Sequence, residues 1–247
     1  MRADLRVVGA IGAAVALGAA LSAAPGTASA TAQPCRLALI LAMDVSASVD
    51  AGEYRLMRDG TAAALASDEV AAAILSLGGV HMSVFEWSGR QRQRIVADWS
   101  SLGDLAAIAR FAGGIADQQR SFHQYPTALG SALGFAQRLM REAPPCDRYV
   151  VDIAGDGPNN HGFGPASAYR AFDFSAITVN GLVVTPGIDE APAGANDAVT
   201  YYRDEVRNGP DAFIEVALGY GDFERAMRRK LLREIGVLSL SAAPHPE

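Results

Sequence analysis

Asp44, Ser46 and Ser48 stand at alternate positions of the segment Asp44-Val45-Ser46-Ala47-Ser48. Residues two apart in an extended segment share a face, so one carboxylate and two hydroxyls can project toward one point. Oxygen donors of this kind suit a hard divalent cation, and Mg²⁺ keeps water or a partner's oxygen wherever the protein leaves a position open. Two later segments offer matching donors: Thr127 in Tyr125-Pro126-Thr127-Ala128-Leu129-Gly130, and Asp156 in Ile153-Ala154-Gly155-Asp156-Gly157. Two carboxylates would bring a bound divalent ion near formal neutrality, and the neutral hydroxyls would leave it electrophilic toward an incoming carboxylate. The plainer alternative makes Asp44 and Asp156 helix caps or turn formers, with the serine hydroxyls satisfying loop amides. Each segment alone is a short pattern; their order around predicted strands is what favours a metal.

Those strands follow from the hydrophobic pattern. Leu37 to Met43 is an unbroken apolar run that stops at Asp44, as expected of a central parallel strand buried on both faces. Ligands of open α/β sheets bind beyond the carboxyl ends of such strands. Further strands are predicted at 80–87, 93–99, 148–154, 177–184 and 212–218. Helices are predicted at 50–66 with Asp50 near its start, 68–76, 102–116, 127–141, 165–175, 197–207 and 221–235. Ser88-Gly89-Arg90 turns 80–87 into 93–99 as a hairpin. The alternation predicts an α/β fold: a doubly wound, mainly parallel sheet with 93–99 as one antiparallel edge strand and helices on both faces. No internal repeat or domain linker interrupts it, and Pro186 to Ala195 is a Pro-, Gly- and Ala-rich loop.

Other residues invite plainer readings. Asp152 is a rival carboxylate, but its apolar neighbours suggest a buried, hydrogen-bonded residue. Glu86-Trp87 at a strand end reads as edge packing before site rim, and His123 and His161 as solvated loop histidines before partner contacts. Arg225, Arg228, Arg229, Lys230 and Arg233 fall at helical spacing and read as a solvated helix face.

The chain has 247 residues, 50% of them hydrophobic, and a net charge of -6. This acidic balance, without a long basic run, argues against nucleic-acid binding. Arg2 and Arg6 precede an apolar run from Val7 to Ala24 and the small residues Ala28-Ser29-Ala30, a secretory signal peptide over residues 1–30 with cleavage after Ala30. The alternative is an uncleaved anchor, since the run is near the lower limit for spanning. Cleavage leaves no stable membrane anchor, one domain over 31–238 and a disordered tail over 239–247. The protein is then periplasmic or secreted, and an oxidising compartment allows a disulfide between Cys35 and Cys146. Each cysteine lies just before a predicted strand, so the sulfurs meet if those strands are parallel neighbours; two separate buried thiols are the alternative.

With these pieces in place, residues 36 to 235 resemble the von Willebrand factor A domain and its metal-ion-dependent adhesion site. The resemblance implies that Asp44, Ser46, Ser48, Thr127 and Asp156 hold one Mg²⁺, with Mn²⁺ or Ca²⁺ as substitutes. It implies a partner, protein or other ligand, that offers a carboxylate to the ion. It also places the first and fourth main strands side by side, which supports pairing of Cys35 with Cys146. Gly155 to Asn160, the helix at 229–235 and the signal peptide are similar to a bacterial exported subfamily of A-like domains of undefined function. A binding module rather than an enzyme is therefore expected. The alternatives are a metal-assisted hydrolase, for which the sequence has no nucleophile elbow, zinc helix or Walker A loop, and a scaffold with a vestigial site.

Overall fold

The computed structural model describes Met1, residues 34–186 and residues 197–241. The expected signal peptide, most of the loop from Pro186 to Ala195 and the end of the tail lie outside the described residues. The strands are β1 (Cys35–Asp44), β2 (Val80–Trp87), β3 (Gln93–Ser101), β4 (Cys146–Gly155), β5 (Ile177–Thr185) and β6 (Ile214–Leu218). They form one sheet in the order β3-β2-β1-β4-β5-β6, parallel except for the β2–β3 hairpin. The expected doubly wound α/β sheet with an antiparallel edge is the fold found.

Burial explains the unbroken apolar run of β1. Leu37, Leu39, Leu41 and Met43 face one side and join Tyr54 and Met57 of α1 (Ala51–Ala66), Val70 of α2 (Asp68–Leu77), Ile108 of α3 (Leu105–Ala116) and Phe223 of α7 (Phe223–Ser241). Ala38, Ile40 and Ala42 face the other and join Leu129 and Leu133 of α4 (Leu129–Met140) and Ala168 of α5 (Pro165–Ala171). The period-2 alternation thus feeds two cores rather than one core and solvent. Among the described residues no single helix is long and apolar enough to cross a membrane.

Several element ends differ from the predicted ones for local reasons. Asp104 caps α3, accepting from the Ala107 N–H at 2.6 Å, so the helix begins after it. α4 begins at Leu129 and leaves Thr127 in the preceding loop. α5 stops at Ala171, because Asp173 accepts from both the backbone N–H and the hydroxyl of Ser175 (2.9 and 2.7 Å) and closes a turn of its own. α6 (Asp197–Tyr201) runs into a π-helical turn over Tyr202–Val206. α7 follows a 3₁₀ turn and continues to Ser241, past residue 238 where the sequence placed the end of the domain. Cys35 and Cys146 are directly opposite in the β1–β4 ladder, 4.5 Å apart at Cα, and form the disulfide.

Candidate metal centre

β1 and β4 are neighbours, so their carboxyl ends deliver Asp44 and Asp156 to the same edge of the sheet. The Ser46 N–H donates to Asp44 Oδ1 at 2.7 Å and closes the turn that follows β1. The Thr127 hydroxyl donates to Ser46 Oγ at 3.2 Å, Ser46 and Ser48 share a hydrogen bond of 3.2 Å, and the Ser48 hydroxyl donates to Asp156 Oδ1 at 3.0 Å. All five residues singled out by the sequence therefore meet. Asp44, Ser46 and Thr127 are buried, while Ser48 is exposed, so the cluster opens to solvent on the Ser48 side.

Two carboxylates in this space repel one another. Burial, and then the charge of Asp156, pushes the Asp44 carboxyl up to about 8 from its ordinary 3.8, against the pull of the Ser46 hydrogen bonds and Arg120. Burial also raises Asp156. Asp44 Oδ2 has no hydrogen-bond partner, and neither Asp44 nor Asp156 forms an ion pair among the described residues. An all-oxygen set with uncompensated negative charge and an orphaned buried oxygen fits a hard divalent cation.

Three sets of contacts hold the loops, and apart from Asp50 at the start of its helix the sequence reading missed them. Arg120, in the loop between α3 and α4, donates through Nη2 to the carbonyls of Val45, Ser46 and Val49 at 3.1, 2.9 and 2.6 Å. The Thr127 N–H donates to Asn160 Oδ1 (2.8 Å), while the Thr127 carbonyl accepts from the N–H groups of Asn160 and His161 (3.0 and 3.1 Å). The Asp156 loop thus grips the threonine peptide from both sides. Asp50 and Glu53 form a reciprocal cap that leads the 44–48 loop into α1. Gly155 is required here, because a Cβ would stand 2.3 Å from the Tyr202 hydroxyl and 3.1 Å from Asp44 Oδ2. The Gly-Asp-Gly-Pro-Asn-Asn run and Asp50 at the head of its helix were the signals of this in the sequence.

A family model described as "Protein of unknown function (DUF1194)" matches residues 34–239. The chain belongs to that family. No curated protein matches this DUF1194 chain. Similar solved structures include proximal thread matrix protein 1 from the mussel byssus, at 16% identity and a TM-score of 0.59 over 83% of this chain and 49% of that one. A von Willebrand factor type A protein from Catenulispora acidiphila gives 17% and 0.56 over 82% and 43%. The PilB minor pilin from Streptococcus sanguinis gives 11% and 0.61 over 85% and 64%. The DUF1194 chain spans about half the length of the first two. The likeness is one of fold: the sheet and its helices match the von Willebrand factor A-type α/β fold of these proteins. The mussel protein has also been solved with a zinc-occupied MIDAS motif.

Other residues of the DUF1194 chain fall outside the cluster. Asp152 is buried and bound to Lys230 and does not reach it. Lys230 corrects the reading of a solvated basic face: it is fully buried, whereas Arg225, Arg228 and Arg229 pair at the surface with Asp222, Glu224 and Glu215. Glu86 is buried and accepts from the Tyr54 hydroxyl and the Ser121 N–H, both at 2.7 Å, bracing the Arg120 loop. At the opposite end of β1, Cys35, His81 and Cys146 bring metal-ligand atoms within 4.8 Å of one another. Their sulfurs are joined in the disulfide and offer no thiolate.

Proposed function

We propose that the chain is an exported binding module whose Asp44, Ser46, Ser48, Thr127 and Asp156 hold one divalent cation, Mg²⁺ with Mn²⁺ or Ca²⁺ as substitutes. A partner completes the coordination with a carboxylate. The observation that carries this reading is the convergence of two carboxylates and three hydroxyls at the carboxyl ends of β1 and β4, with neither Asp44 nor Asp156 ion-paired among the described residues. Bound there, the ion would neutralise the two acids and, through its open position, attract an anionic oxygen. The protein's own groups set the loop geometry: Arg120 fixes the 44–48 segment, and Asn160 fixes Thr127. The disulfide supports an oxidising, exported setting.

Binding rather than turnover suits this set. The protein oxygens act as ligands and leave no evident general acid or nucleophile beside the ion. Asp44→Ala and Thr127→Ala should each abolish Mg²⁺-dependent retention of partners from a surface extract of the source cells, with the melting temperature kept. Undiminished retention by both variants, or by wild type in chelator, would sink the mechanism.

A further inference from the structure

Asp50 and Glu53 follow the 44–48 loop on one side of the cluster, and the β2–β3 turn carries basic side chains. Arg90 and Arg92 lie in the β2–β3 turn, are exposed, and pair with no carboxylate among the described residues. The Arg92 guanidinium stands 4.5 Å from the ring centroid of Tyr125. Arg90 runs along Gly162 of the Asp156 loop, where an added Cβ would come within 3.0 Å of the arginine Cγ. Gly162 itself has φ of +74°, so this close approach rests on a residue for which glycine is strongly favoured.

These contacts tie the turn to all three site loops. The Tyr125 carbonyl accepts from the Ala47 N–H, between the two serine ligands, at 2.8 Å, and from the Ser88 hydroxyl at 3.1 Å. The Ala128 N–H donates to the Ser88 carbonyl at 3.0 Å, next to Thr127. Tyr125 and Phe163 are two of the few large apolar side chains left exposed, and each lies in a loop that supplies a ligand. Two guanidiniums without an ion pair among the described residues thus lie on the turn bonded to the site loops, and two exposed aromatics lie on those loops themselves; Arg and Tyr are enriched in protein-binding hot spots.

We propose that this rim reads a second acidic side chain, so that the partner is an acidic segment of a protein: one carboxylate reaches the cation, another meets Arg90 and Arg92, and apolar neighbours cover Tyr125 and Phe163. The inference rests on the proposed cation site. It adds a requirement that a metal site alone does not impose. In a chain of net charge -6, a cationic rim is needed to offset the repulsion an acidic segment would otherwise meet. The forked guanidinium also suits a carboxylate bidentately.

The test is selection of a random peptide library on the Mg²⁺-loaded full chain, on Asp44→Ala, and on the double variant Arg90→Gln/Arg92→Gln, which keeps the arginine stems. Wild type should enrich peptides with two acidic positions, and the double variant peptides with one. A selected peptide carrying a fluorescein label should bind the double variant about tenfold more weakly than wild type, with the gap closing at high salt. Single-acid peptides bound equally by wild type and the double variant, but lost in chelator, would overturn the rim and leave the metal reading standing. Two-acid peptides held equally well in chelator and by Asp44→Ala would keep the rim and remove the metal reading. No acidic enrichment overturns the proposal, and rim-dependent retention on heparin in that case would put a sulfated glycan in place of the protein segment.

Discussion

Two acidic clusters lie four residues of strand apart, at Asp152 within β4 and at Asp156 just beyond its end, and their surroundings differ. Asp152 and Glu234 share Lys230, which donates to both, and Asn180 Nδ2 donates to Glu234 Oε1 at 2.5 Å. All four side chains are almost wholly buried. The carboxyl of Asp152 is pushed well above its ordinary range by burial, against the pull of Lys230 and with a further push from Glu234. Asp44 and Asp156 have hydroxyls where the inner cluster has an ammonium. Each cluster leaves one carboxylate oxygen, Asp152 Oδ2 or Asp44 Oδ2, without a hydrogen bond among the described residues. An orphaned oxygen is therefore not by itself the mark of a metal site. The distinguishing feature is whether the chain supplies the cation. The sealed cluster has one built in, whereas Asp44 and Asp156 have no ion-pair partner among the described residues, and in the proposed function their cation comes from solution.

The sharpest way to break that contrast is to remove the built-in cation. Lys230→Met should cost about 3–5 kcal/mol of unfolding free energy, because it leaves two buried carboxylates unpaired. Denaturant melts should show this loss in Mg²⁺ and in chelator alike. Asp44→Ala should do the opposite. It relieves repulsion in the metal-free protein, so its melting temperature in chelator should equal or exceed that of wild type, while Mg²⁺ affinity falls by at least about a hundredfold, beyond the range typical of outer-shell changes. If Asp44→Ala unfolds the protein as Lys230→Met does, the outer cluster is structural.

Smaller effects refine the picture. Arg120 touches no proposed ligand side chain but holds three carbonyls around Ser46. Arg120→Met should weaken Mg²⁺ binding about tenfold by calorimetry, with the one-to-one stoichiometry retained. The pH response is a separate effect, carried by Asp44. Asp44 titrates near 8 in the fold against an ordinary 3.8, so the folded state holds a proton that the unfolded chain releases between those values. Metal-free stability is thus fullest at acid pH and declines as pH rises from about 4 through about 8. Saturating Mg²⁺ should remove that decline, because the ion takes the proton's place. Melting curves across this window, with and without Mg²⁺, provide the check.

Much of this was legible in the sequence. The apolar run before Asp44, the order of the three ligand segments and the strand–helix alternation anticipated the sheet, its antiparallel edge and the meeting of five side chains; the Cys35–Cys146 pair stayed conditional until the family resemblance put the first and fourth strands side by side. Lys230 was missed although its signal was present. Phe223, Ala226, Met227, Lys230, Leu231, Glu234 and Ile235 mark the buried stripe of α7, with two opposite charges on its inner face, and Asp152 lies in an apolar strand that could receive them. Treating the basic residues as one patch hid the phase of the helix. Arg120 and Asn160 left no comparable trace. Their partners are backbone groups of loops distant in sequence, and no periodicity encodes such contacts. The grip of Asn160 on Thr127 also explains why the Gly155 to Asn160 run carries more than its single aspartate.

Calorimetric titration of chelator-stripped protein with Mg²⁺ and Mn²⁺, beside Asp44→Ala, tests the claim that the outer cluster takes its cation from solution. Saturable binding of one ion by wild type and none by the folded variant is the expected result. Folded wild type that binds neither ion would contradict it.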